Sequence, residues 1–91
     1  MGTQRLVAIF SGAVHGVGFR FTANSLARQY PVTGYVRNLN TGDVEVVAEG
    51  ETEDVRNFIE AVKRAMKMYI GNVEENWSDA SGGFSGFGIS H

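Results

Sequence analysis

The stretch Leu6-Val7-Ala8-Ile9-Phe10-Ser11-Gly12-Ala13-Val14-His15-Gly16-Val17-Gly18-Phe19-Arg20 joins three local structures without a spacer. Its first part, Leu6 to Phe10, is a continuous apolar run stopped by Ser11-Gly12, the pattern of a strand covered on both faces and therefore central in its sheet. Its last part opens a helix. From Phe19 the apolar residues fall at Phe19, Ala23, Leu26, Ala27 and Tyr30, one face of about three helical turns, which Pro31 closes. Between strand and helix, Gly16 and Gly18 permit positive φ. Successive backbone N–H groups can then converge into a concave nest beside the free donors of the first helical turn. Such a junction suits an anion, and Arg20 supplies a planar fork that can grip two phosphate oxygens. In the alternative reading the glycines only make a tight turn and Arg20 is a solvated first-turn residue. Spacing alone slightly favours that alternative.

Downstream, Val32 to Asn38 alternates, with Val32, Gly34 and Val36 on one side and Thr33, Tyr35 and Arg37 on the other. Asn40-Thr41-Gly42-Asp43 turns the chain. Val44, Val46 and Ala48 then alternate with Glu45, Val47 and Glu49, so a second strand runs back as a hairpin that Gly50 ends. Thr52 is an N-cap candidate with Glu53 and Asp54 in the first turn, and Val55, Phe58, Ile59, Val62, Met66 and Tyr69 keep helical spacing behind it. Lys63, Arg64 and Lys67 suit its carboxyl end. Beyond Gly71, a strand over Val73 to Trp77 and a pliable edge strand in the glycine-rich stretch of Phe84, Phe87 and Ile89 complete the reading. The order strand, helix, strand, strand, helix, strand predicts an α+β chain with the ferredoxin-like split βαβ arrangement (βαββαβ): an antiparallel sheet with two helices on one face. A single domain over residues 1–91 is expected, with no linker or internal repeat.

Composition narrows the function classes. A chain of 91 residues buries only about two-thirds of its unfolded surface, so one modest core must suffice. It has no cysteine, which excludes disulfides, thiolate chemistry and cysteine-ligated zinc. The formal net charge of -2 provides no general field for nucleic acid or anionic membrane, so an anion site must be local. The early apolar run is too short for a signal-peptide core or a membrane span, which makes the cytoplasm the expected location. Glu45 and Glu49 share a strand face, but no histidine or aspartate joins them at ligand spacing, so a solvated face is expected rather than a metal site. Trp77 reads as a core or rim aromatic, and His91, the last residue, is expected to be disordered.

The second informative segment is Gly34-Tyr35-Val36-Arg37-Asn38, which places Asn38 at the mouth of the hairpin. Alone, an asparagine there is a turn former. Together, residues 12 to 20 and 34 to 38 resemble the acylphosphatase family, whose pattern reads Gly-x-Val-Gln-Gly-Val-Gly-Phe-Arg and, after a helix, Gly-x-Val-x-Asn. The resemblance runs from about Leu6 to Ile89, and the pair of motifs at this separation is far more specific than either alone.

The resemblance implies an enzyme that hydrolyses acyl phosphates to a carboxylate and inorganic phosphate, without cofactor or metal. It implies that His15, Gly16, Val17, Gly18, Phe19 and Arg20 bind the phosphate and that Arg20 and Asn38 are the catalytic pair, Asn38 holding the attacking water. The chain departs from the family pattern in three places. His15 stands where glutamine is usual, Tyr35 where tryptophan is usual, and Lys67 to Gly71 lacks the usual Gly-Pro. A monomer is expected, with no nucleic-acid or membrane partner. Two further readings differ in class. In one, the chain is an RNA-recognition module of the same element order, for which the exposed sheet aromatics and basic surface are lacking. In the other, it is a non-catalytic phosphate- or partner-binding relative, resembling the acylphosphatase-like domain of larger carbamoyl-transferring maturation proteins.

Overall fold

In the computed structural model, which describes residues 2–91, the apolar run becomes the middle of β1 (Thr3–Gly12). There follow α1 (Phe19–Ala27), β2 (Thr33–Asn38), β3 (Val44–Glu51), α2 (Thr52–Ala65), β4 (Ile70–Asp79) and β5 (Phe87–Ile89). The sheet order is β4-β1-β3-β2-β5. This is the expected βαββαβ arrangement with one further edge strand, and that strand corrects the expectation of a purely antiparallel sheet. β1 pairs antiparallel with β3 and β4, and β2 with β3, whereas β5 lies parallel to β2, with Gly34, Tyr35 and Val36 opposite Phe87, Gly88 and Ile89. The parallel pairing follows from the connection. Residues 80–86 carry the chain across the sheet before β5 begins, so it returns in the direction of β2.

Period-2 alternation decides which face is buried. Leu6, Ala8 and Phe10 pair with Ala48, Val46 and Val44, and all six are inaccessible beneath the helices. Ala23 and Ala27 of α1 and Val55, Phe58, Ile59 and Val62 of α2 close this core from the other side. The alternate residues Val7 and Ile9 are only half-buried. β1 is therefore central in the sheet but not covered on both faces as its apolar run suggested. Val47, expected toward solvent, is buried between Val7 and Tyr35 on the same open face.

Both helices are shorter than their apolar periodicity. α1 gives way after Ala27 to tight bonds from Arg28, Gln29 and Tyr30 N–H to Ser25, Leu26 and Ala27 carbonyls, the narrowing that precedes Pro31. α2 ends at Ala65. Met66 still reaches the core, but Tyr69 lies beyond the helix and is exposed. Thr52 is the first helical residue rather than a side-chain cap, and its hydroxyl donates to Gln4 Oε1 at 2.7 Å.

The open face holds the C-terminal segment, and a buried carboxylate is what ties it there. Glu49 is only 4% exposed, against the expectation of a solvated face. Arg5 Nε donates to it at 2.7 Å, Ser81 N–H and hydroxyl at 2.9 Å, and Gly82 N–H at 3.0 Å. Burial pushes the Glu49 carboxyl up, but the Ser81 amide, Arg5, the Gly82 amide and the Ser81 hydroxyl together outweigh it and hold the group down at about 2. Phe84 then packs edge-on against Tyr35, ring centroids 5.9 Å apart, with the Arg5 guanidinium over its ring at 5.4 Å. This anchoring delivers β5 to the edge of β2, where Phe87 meets Phe58 at 5.3 Å.

Candidate active site

The loop between β1 and α1 is pinned by its apolar side chains and left open along its backbone. Val14 is 1% exposed and Phe19 2%, and Phe19 stacks obliquely on Phe10 with ring centroids 4.9 Å apart. Both ends of the loop are thus fixed to the core. Ala13 N–H donates to Tyr69 carbonyl at 2.9 Å, so the segment after α2 braces the loop base even without a Gly-Pro. From Val14 through Phe21, no backbone N–H donates to a protein acceptor among the described residues. The helix has no side-chain cap at its start, because Gly18 occupies the N-cap position at φ 78°. Gly16 takes φ 77°, and a Cβ at either glycine would meet nothing within 4 Å. Glycine is required there by backbone conformation alone, and the space in front of the amides is open.

Asn38 reaches the same place from β2. β1 and β2 run in the same direction on either side of β3, so the carboxyl ends of both strands lie at one end of the sheet. The turn that follows Asn38 is closed by Leu39 N–H to Asp43 carbonyl at 2.8 Å and Gly42 N–H to Leu39 carbonyl at 3.0 Å. It does not use the Asn38 amide, so the turn-former role is filled by other groups. One cavity of about 210 Å³ is lined by Gly16, Gly18, Phe19, Arg20 and Asn38. Neither the Arg20 guanidinium nor the Asn38 side chain has a hydrogen-bond or ion-pair partner among the described residues. The sheet's arginines, by contrast, are paired: Arg5 with Glu49 and Arg37 with Glu45, each at 2.7 Å.

Of the residues predicted to bind phosphate, His15 and Val17 stand in the loop but outside the cavity wall. His15 is exposed, and Val17 packs on the core. Four wall residues lie outside the predicted set: Val14, Phe21, Ile89 and His91. Phe21 had a legible signal, being apolar yet out of phase with the helix stripe. Ile89 and His91 had none, because their position depends on the parallel docking of β5. No group of three or more potential metal ligands occurs among the described residues.

A cradle of unspent amides, one unpaired arginine and one unpaired carboxamide has the chemistry to hold a small oxyanion and a neutral nucleophile. The sequence profile of the acylphosphatase family matches residues 6–89. The acylphosphatase of Salinibacter ruber is 41% identical over 90 residues, covering 97% of this chain and 95% of that one. The crystal structure of acylphosphatase from Bacillus subtilis superimposes with a TM-score of 0.88 at 30% identity, covering 97% and 99% of the two chains. Full-length HypF, in a crystal structure described as phosphate- and nucleotide-bound, matches with a TM-score of 0.78 at 28% identity, over 98% of this chain but 12% of HypF. The chain belongs to the acylphosphatase family.

Proposed function

We propose that the chain hydrolyses acyl phosphates, with the phosphoryl group held by the loop amides and Arg20 and the attacking water held by Asn38. The observation that carries this reading is the convergence of partnerless donors on one cavity: the loop N–H groups, the Arg20 fork and the Asn38 amide. An acyl phosphate is a mixed anhydride. Water oxygen bonds to phosphorus, the phosphorus bond to the acyl oxygen breaks, and the carboxylate departs with the electron pair. A carboxylate leaving group needs no proton, so no strong acid is required of the site. Asn38 is neutral and only orients the water, whose proton passes to a phosphoryl oxygen of the substrate. Charge that builds on the phosphoryl oxygens meets donors already aimed at them, which is where catalysis by positioning and electrostatics gains most. His15 lies outside the cavity wall, so its imidazole takes no part. Because cradle, Arg20 and Asn38 come from one chain, the reading includes a monomer. Its substrate is a small molecule of the cytoplasm, and a net charge of -2 opposes a nucleic-acid partner.

The test is hydrolysis of benzoyl phosphate in the presence of a chelator, with inorganic phosphate titrated as inhibitor. Arg20→Ala loses both rate and phosphate affinity, at about 1.5–3 kcal/mol for each charge-assisted hydrogen bond removed. Asn38→Ala loses rate but retains phosphate affinity. Equal loss of phosphate binding in the two variants would refute the division of roles, and a chelator-sensitive rate would refute the metal-free chemistry.

A further inference from the structure

The cavity wall is chemically mixed: Arg20, Asn38, Gly16, Gly18 and His91 stand in it beside Phe21 and Ile89. Phe21 is 73% exposed, and it alone among the phenylalanines is exposed; the others are buried or half-buried. It follows Arg20 directly in the first turn of α1, where no fold requirement calls for an aromatic, since the buried stripe runs through Phe19, Ala23 and Ala27. No aromatic partner stacks on it. Ile89 is brought into the same wall by the parallel pairing with Val36. The cavity of about 210 Å³ lies below the roughly 300–1,000 Å³ that drug-sized ligands occupy, so it suits a phosphoryl group with one small appendage.

We infer that Phe21 and Ile89 form a subsite for the acyl group, so that the preferred substrates carry an aromatic or branched-alkyl acyl chain rather than acetyl. The inference rests on the acyl phosphate reading above. A substrate of this class is bipartite, a phosphoryl anion joined through one anhydride oxygen to a carbon chain. With the phosphoryl group on Arg20 and the loop amides, an acyl chain of one ring's length lies against the neighbouring apolar wall. Contact there removes apolar surface of both partners from water, and an offset or edge-on ring contact with Phe21 adds to it. Acetyl is too short to collect this contact.

The experiment compares the parent with Phe21→Ala and Phe21→Leu, which are exposed substitutions that leave the core intact. In the parent, kcat/KM favours benzoyl over acetyl phosphate. Phe21→Ala lowers the benzoyl-to-acetyl ratio about tenfold, equivalent to about 1.4 kcal/mol, and Phe21→Leu recovers most of it. Binding of benzoylphosphonate and acetylphosphonate, non-hydrolysable analogues with a carbon–phosphorus bond, is measured by calorimetry alongside. A parent that hydrolyses both substrates with a ratio untouched by Phe21→Ala overturns the subsite and leaves the hydrolase standing. A parent that hydrolyses neither but prefers benzoylphosphonate, with the preference lost in Phe21→Ala, overturns the hydrolase and supports the subsite. Binding of neither phosphonate overturns both.

Discussion

Replacing Glu49 by Gln isolates the carboxylate that holds the C-terminal segment to the sheet. Glu49 receives the Arg5 guanidinium, two backbone N–H groups and the Ser81 hydroxyl, all between 2.7 and 3.0 Å, with its side chain 4% exposed. Glutamine keeps the shape but removes the charge and turns an N–H₂ toward donors. Hydrogen bonds to a charged group contribute about 1.5–3 kcal/mol each. Arg5 is 31% exposed, however, so solvent screens its share. A net loss of about 2–3 kcal/mol at neutral pH is expected, which in a domain of this size lowers Tm by roughly 8–20 °C.

The pH dependence carries the sign. Because the folded Glu49 carboxyl is held down at about 2 from an ordinary 4.5, its stabilisation is complete above about 4.5 and is lost as pH falls toward about 2. Urea unfolding of parent and Glu49→Gln, followed by circular dichroism from pH 7 down to pH 2.5, measures this difference directly. The two stabilities should lie apart at pH 7 and converge on acidification. Equal midpoints at pH 7, or a difference that persists undiminished at pH 2.5, would refute the account of the carboxylate as the tie.

Two glycine substitutions separate conformation from contact. Gly34→Ala places a Cβ 1.9 Å from Val47 carbonyl oxygen at φ 138°, against the backbone of the central strand β3, which cannot yield without opening the β2–β3 ladder. A loss of about 4 kcal/mol or more is expected by urea titration, and a midpoint near that of the parent would contradict the close approach. Gly18→Ala meets no atom within 4 Å and bears only the strain of φ 78°, so its stability falls by about 1–2 kcal/mol. Its affinity for inorganic phosphate should fall several-fold as the backbone shifts to relieve that strain. An unchanged inhibition constant would remove the loop amides from the binding site.

Much of the fold was written locally. The apolar run of β1, the stripe of Phe19, Ala23 and Ala27, the hairpin around Asn40 to Asp43 and the amphipathic α2 each follow from period and turn chemistry within a short window. The spacing of the loop slightly favoured a tight turn over an anion nest, because spacing does not report whether a donor already has a partner. The paired motifs, by resemblance, pointed to Arg20 and Asn38 before their convergence could be seen.

Tertiary structure decided what depends on which strands become neighbours. The loop amides count as a cradle because nothing in the fold consumes them, which is a property of the whole hydrogen-bond network. Glu49 reads as a solvated strand residue until the segment from Ala80 folds back and buries it under Ser81 and Gly82. Phe87 and Ile89 sit in a glycine-rich stretch whose partner strand is remote in sequence, so neither the parallel pairing nor the entry of Ile89 and His91 into the cavity wall could be read from local pattern. The sequence by itself thus determined the element order and, by resemblance, pointed to Arg20 and Asn38. Ile89 joined Phe21 in the cavity wall only when the last strand docked against β2, since burial and adjacency are set by long-range packing rather than by neighbours along the chain.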